Sequence, residues 1–220
     1  MFSKVTACGL SGIDGYMVTV ETDISNGLPA FDIVGLGDAA VKEAKERVRA
    51  AVKNSGFDFP SRRITINLAP ADLKKEGTAY DLPIAMGILS ALELFPAKRL
   101  TGCLLCGELS LNGSLRPVCG VLPKAIAARD NSIEYIMVPS ANASEAAVVA
   151  GVKVIPVKSL NELVQYLKGR MDLSPVDGNW DAGTQDDGDT VPDFADVKGQ
   201  NHVKRALEVA AAGGHNCFNL

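Results

Sequence analysis

The sequence is poor in aromatic residues, which make up 5% of its 220 positions, with a single Trp. Its core must therefore be aliphatic, drawn from the Val, Ile, Leu and Ala that dominate a hydrophobic fraction of 47%. No run of 18 apolar residues occurs, so no segment reads as a membrane-spanning helix. The N-terminal MFSKVTACGLSG lacks the apolar stretch of a secretion signal, and the expectation is a cytoplasmic protein with no membrane partner. Histidine is scarce too. His202 opens a predicted helix and His215 fits a turn, and neither has a carboxylate or cysteine at ligand spacing, so no metal site is assigned. The five cysteines are odd in number. Cys103-Leu-Leu-Cys106 has the CxxC spacing but falls in a predicted strand, where the two side chains face opposite sides, and no second CxxC completes a zinc site. All five are expected to be buried and structural.

Acid and base are unevenly spread. The formal charge is −4, yet residues 172–193 carry seven Asp and no Lys or Arg. The rest is therefore weakly positive. The stretch 171–192, rich in Gly, Pro, Asp and Thr, buries too little to offset its ordering entropy and reads as an acidic flexible linker. It separates a domain at 1–170 from a segment at 193–220 too short for a core of its own.

The core of the reading is Gly107 to Asp130. LLCGELSL is short and apolar, a buried strand. Asn112-Gly113 is a hairpin signal, since both residues tolerate positive φ. VLPKAIAARD is a helix with Val121, Leu122, Ala125 and Ile126 on its apolar face. Lys124 lies in its first turn, where the helix dipole disfavours a cation.

Upstream, 2–10, 15–24 and 28–37 read as strands. Asp38 caps a helix whose apolar face is Ala40, Val41, Ala44, Val48, Ala51 and Val52. Its remaining face, Lys42 to Lys53, reads as a solvated surface with pairs such as Glu43–Arg47. RRITINLAP alternates as a strand. Asp81 is expected to cap LPIAMGILSALEL, which is apolar on nearly every side and so the central buried helix. Downstream, strands and helices alternate over residues 133–169 as in a parallel layer, whereas the paired strands upstream suggest an antiparallel or mixed one. The fold class is α/β, or α+β.

Two stretches carry a resemblance. DFADVKGQ followed by KRALEVAAAGGHN is similar to the segment preceding the phosphate loop of AAA+ ATPases. That implies an adenine-side role for Val197, Gly199 and Gln200 in a longer protein. No GxxxxGK[ST] occurs here, so the expectation is a module truncated before its P-loop, with ATP and Mg as cofactors of the full-length protein and none for this chain. GLPAFDIVGLGDAAVKEAKERVRAA, INLAPADLKKEGTAYDLPIA and GELSLNGSLRPVCGVLP resemble the N-terminal domain of the ComM/YifB family, magnesium-chelatase-subunit-like AAA+ proteins. The same domain resembles the proteolytic domain of Lon and the Lon-like domain of RadA proteins, which implies a Lon-like mixed sheet with packed helices.

Lon-type peptidases use a Ser–Lys dyad. The resemblance puts Ala79 at the nucleophile position and Lys124 at the lysine position. A methyl group cannot attack a carbonyl, so no peptidase activity is expected, and a Lon-type peptidase with an altered nucleophile is the rival reading. A chelatase-like ATPase subunit is another. Lys124 on its own residues is either functional or a partly exposed helix lysine pairing with Asp81 or Glu76.

Between Lys42 and Lys75 stand nine Lys or Arg against four acids. Arg62, Arg63, Lys74 and Lys75, if they share a face, form a phosphate-contacting patch; otherwise the surface is merely solvated. The resemblance implies the patch. It also implies a DNA partner, single-stranded or branched, and a hexamer acting as a branch-migration helicase in natural transformation.

Overall fold

The computed structural model describes residues 1–176 and 197–215. The chain forms two units, Met1–Trp180 and Asp181–Leu220. Most of the predicted acidic linker, and the strand start expected after His215, lie outside the described residues. Among the described residues, no helix is long and apolar enough to cross a membrane.

In the first unit, β1 (Phe2–Ser11) and β2 (Asp14–Ser25) form a long antiparallel pair. β3 (Ala30–Val34) leads through α1 (Ala39–Asn54) to β4 (Arg63–Ala69), beside which it lies parallel. α2 (Asp81–Ala91) and β5 (Cys103–Leu105) follow. A separate hairpin of β6 (Glu108–Leu109) and β7 (Leu115–Arg116) precedes α3 (Val121–Asp130). β8 (Tyr135–Pro139), α4 (Ala143–Ala147), β9 (Lys153–Val157) and α5 (Leu160–Leu167) complete the unit. The seven-stranded sheet has the order β3-β4-β2-β1-β5-β8-β9. It is antiparallel at β1–β2 and β2–β4 and parallel from β1 through β5 and β8 to β9, a mixed α/β fold.

Period-2 alternation explains the layering. Ile64, Ile66 and Leu68 of β4 and Val18 and Val20 of β2 face one core with α1, α2 and α5. On the parallel side both faces are covered. Leu104, Ile136, Val138 and Val154 point into a second core beneath α3 and α4, while Cys103, Leu105, Met137 and Ile155 point into the first. Strands buried on both faces read as continuous apolar runs, as IMV and VIPV do. Cys103 and Cys106 enter opposite cores, although only Cys103 lies within β5. Every residue of α2 is buried, and Gly87 lets it approach β2: a Cβ there would sit 2.4 Å from Thr22 Oγ1.

Several expectations are corrected. LLCGELSL is not one strand: β5 ends at Leu105, and β6 leaves the main sheet for the hairpin. Cys119 is exposed, unlike Cys8, Cys103 and Cys106, while Cys217 lies outside the described residues. Leu122 and Ile126 of α3 are 36% and 37% exposed, whereas Lys124 is buried with Val121 and Ala125. The helix has turned its lysine inward and two of its four expected apolar residues outward. Residues beyond 170 still touch the unit, for the N–H of Val176 donates to the carbonyl of Val154 at 2.8 Å.

Asp81 is not the cap of α2. Tyr80 holds that position with no side-chain cap bond, and Asp81 is the first helical residue. Its fully buried carboxylate accepts Arg47 Nε at 2.7 Å, Arg47 Nη2 at 2.9 Å and the Leu109 N–H at 3.2 Å. Arg47 also donates to the carbonyl of Ala40 at 2.9 Å. Its contact to Glu43, the pair read from the helix spacing, is longer at 3.9 Å and exposed on the Glu43 side. One fork thus joins α1, the start of α2 and the hairpin. A buried pair is costly to break from one side because the other charge is left unpaired. Arg47→Met should lower the unfolding free energy in urea by about 3–5 kcal/mol. Adding Asp81→Leu to it should recover most of that loss.

Candidate functional site

β1, the loop before α2 and the start of α3 line a cavity of about 450 Å³. Gly120 makes the turn into α3 with φ +69°, and a Cβ there would lie 2.5 Å from Leu10 Cδ1. This turn aims Lys124 back across its own helix start, where its ammonium donates to the carbonyls of Cys119 at 2.8 Å and Gly120 at 3.3 Å. These carbonyls offset the unfavourable helix dipole. No carboxylate lies within ion-pairing distance of Lys124 among the described residues, so the expected partners are corrected. Asp81 is held by Arg47, and Glu76 pairs with Lys74 at 2.6 Å.

Ala79 and Lys124 line this same cavity, so the two positions of the degenerate dyad do come together. What they bring is an amine and a methyl group. The neighbouring Thr78 hydroxyl donates to Glu108 Oε2 at 2.6 Å, which commits its proton away from Lys124. Ser61, Ser90 and Ser114 are absent from the lining. Asp38 caps α1 through the Val41 N–H at 2.8 Å and also accepts the Gly77 N–H at 3.1 Å, fixing the cavity rim.

Tyr80, also in the lining, is missed by the sequence reading. Its hydroxyl is buried against the Tyr16 hydroxyl, which itself donates to the carbonyl of Lys74 at 2.7 Å. Burial pushes the Tyr80 hydroxyl far above its ordinary value. Cys8 is raised to about 11 by burial, partly opposed by the Lys124 charge, and Cys106 to about 12 for the same reasons in the same order. Among the described residues, no three His, Cys, Asp or Glu group to hold a metal ion.

The four basic candidates do not share a face. Arg62 and Arg63 stand at the start of β4, while Lys74 and Lys75 lie past its end, a strand of seven residues away. Lys75 is fully buried, donating to the carbonyls of Pro70 and Leu73. Arg63 keeps a loose 3.7 Å pair with Asp32. A different basic cluster appears instead. Lys42, Lys45, Arg49 and Lys53 recur at helical spacing on α1. Concavities of about 430 and 100 Å³ follow one another between α1 and the edge strand β3, the first lined by Lys42, Lys45 and Arg63, the second by Arg49, Lys53 and Arg62. In the lining of the two, Asp32 is the one acid.

In the second unit, α6 (Asn201–Gly213) begins after Gln200, which takes the left-handed conformation at φ +56°, with Gly199 at φ +71° before it. Val197 is exposed, and its carbonyl accepts from Lys204 Nζ. His202 and His215 are exposed.

Comparison with known proteins decides the family. The family model for subunit ChlI of Mg-chelatase matches residues 20–142, and a second magnesium-chelatase ChlI model matches 193–219. The competence protein ComM of Haemophilus influenzae is 43% identical over 210 residues, covering 95% of this chain and 41% of its own length. YifB of Escherichia coli is 42% identical over 208 residues, covering 93% and 40%. The chain belongs to the ComM/YifB family of ChlI-type proteins. It spans about two fifths of the length of these relatives. An archaeal Lon protease from Methanothermobacter thermautotrophicus is 29% identical over 136 residues, 60% of this chain and 21% of that protein, in keeping with the mixed α/β sheet.

The thiols around the cavity make its burial testable. Because thiolates react and buried thiols ionise late, iodoacetamide at pH 8 should label Cys119 and spare Cys8, Cys103 and Cys106 in the folded chain. Labelling of Cys8 should rise only as the pH nears 11 or the chain unfolds, which peptide mass mapping would record.

Proposed function

We propose that this unit is the non-catalytic N-terminal domain of an AAA+ ATPase and that it contributes a DNA-binding surface to the assembled protein. The observation that carries the reading is the basic groove between α1 and β3. Six cations line it against a single acid that is already paired with Arg63. Such a surface attracts a phosphate backbone without reading bases, since counterion release supplies the free energy. The edge position of β3 leaves the groove open along one side of the sheet.

The cavity supports the non-catalytic part. At the nucleophile position Ala79 has no group that attacks a carbonyl, and the neighbouring Thr78 hydroxyl is committed to Glu108, which argues against a Lon-type acyl transfer. In the whole protein the reading extends to ATP and Mg bound beyond this chain, with Val197, Gly199 and Gln200 on the adenine side. It extends also to a hexamer that moves branched DNA. The similarity to a competence protein supports that extension.

Gel shifts of the chain on single-stranded and four-way branched DNA across a salt series test the reading. Replacing Lys42, Lys45, Arg49 and Lys53 by Gln should weaken binding in any sequence context and lower the log–log salt slope by about three to four units. Lys74→Gln, which removes a cation tied to Glu76, should leave the slope unchanged. A quadruple variant that melts normally and binds like the parent would contradict the groove.

A further inference from the structure

We propose that Arg49 and Phe59 form a stacking platform for an unpaired base in the groove between α1 and β3. This rests on the groove reading above and names a contact that a single strand can make there and a duplex cannot. The two concavities of the groove differ in kind. The one beside Lys42 and Lys45 has aliphatic walls, Ile33 and Val34, and holds the acid Asp32. The other has no acid in its lining. Its apolar wall is made of rings, Pro29, Phe59 and Pro60, set among Arg49, Lys53 and Arg62. Cations alone suffice for a phosphate backbone, whereas rings add flat surface.

The chain fixes that surface from below. α1 ends at Asn54, and FDFP follows at 57–60. Phe59 is half-buried and packs against the main core. It meets the buried Phe31 with ring centres 5.7 Å apart and planes tilted by 43°. Arg49 is exposed on α1, and its guanidinium lies over the Phe59 ring, 5.4 Å from the centre. Its neighbour Arg47 is committed to Asp81 and the Ala40 carbonyl, but Arg49 has no ion pair or hydrogen bond among the described residues. One helix thus carries a structural arginine and a free one.

A guanidinium is planar and weakly hydrated, so it stacks on aromatic faces and on bases, which an ammonium cannot do. Seated against Phe59 it is a pre-organised shelf beside the phosphate-attracting Lys53 and Arg62. Every base has a π-face, so the contact tolerates any sequence, in keeping with a groove that does not read bases. A duplex keeps its bases stacked on one another and offers this groove its phosphates.

Fluorescence polarisation with the 220-residue chain tests the platform, using two labelled single strands. One is an oligothymidylate, and the other is the same backbone with every base replaced by a tetrahydrofuran abasic site. Both carry the same phosphates, so counterion release is matched and only the bases differ. The thymidine strand should bind about tenfold more tightly at equal salt. Arg49→Lys keeps the charge and removes the plane, and Phe59→Leu removes the ring beneath it. In each variant the tenfold preference should disappear. Phe59→Tyr, which keeps a ring, should retain it. Arg49 is exposed, so its variant reports on stacking even if Phe59→Leu loosens the packing against Phe31. Equal binding of the two strands by the parent chain, or a preference that survives Arg49→Lys, would overturn the platform and leave the groove a phosphate site. Binding of neither strand would overturn the groove reading itself, and the platform with it.

Discussion

Asp81 opens the most deeply buried helix of the domain with a carboxylate that has no access to water, and three separate parts of the chain converge on it. Arg47 brings α1, Leu109 brings the small hairpin, and the helix itself brings the loop that lines the cavity. Burial pushes the Asp81 carboxyl upward, and the guanidinium fork and the Leu109 N–H pull against it. Taking two charges out of water is repaid only when both are fully bonded, which the two-pronged contact and the backbone donor achieve. The ion pair therefore ties α1, which carries the basic row, to the start of α2, next to the loop that lines one side of the cavity.

Two surfaces of opposite character result. The groove along α1 and β3 is cationic, with Asp32 the one acid in its lining. The cavity is apolar in part and edged with acids, and its single cation, Lys124, is buried. Ala79 and Lys124, the positions that the likeness to Lon pairs as a dyad, line one space, and Ala79 brings a methyl group to it. Loss of the serine hydroxyl need not unmake the pocket, because the lysine is held by main-chain carbonyls and not by the absent serine.

Much of this was legible in the residues. The alternation in RRITINLAP, the all-apolar LPIAMGILSALEL and the Asp38 cap each specify their element locally, and the structure follows them. Cations were the failure. Arg47, Lys75 and Lys124 look in sequence like any lysine or arginine on a polar face, but each is drawn inward by acceptors from elsewhere in the chain: Asp81, the carbonyls of Pro70 and Leu73, and those of Cys119 and Gly120. Spacing cannot reveal such partners, since burial of a charge depends on what the tertiary fold brings to it. For the same reason Lys74 and Lys75, adjacent to Arg62 and Arg63 in the linear charge count, part from them across the length of β4. The face carrying Lys42, Lys45, Arg49 and Lys53 reads in sequence as a solvated surface, and only the neighbouring edge strand makes a groove of it. Leu122 and Ile126 mark the converse case, in which an inward lysine rotates apolar residues out.

Hydrogen exchange of the chain with and without four-way branched DNA addresses the central claim most directly, because it reports both surfaces at once. Slowed exchange should appear in α1 between Lys42 and Lys53, in β3 and at residues 60–63, with residues 74–80 and 118–124 unchanged. Protection centred on the Lys124 cavity, or none along α1, would contradict the account.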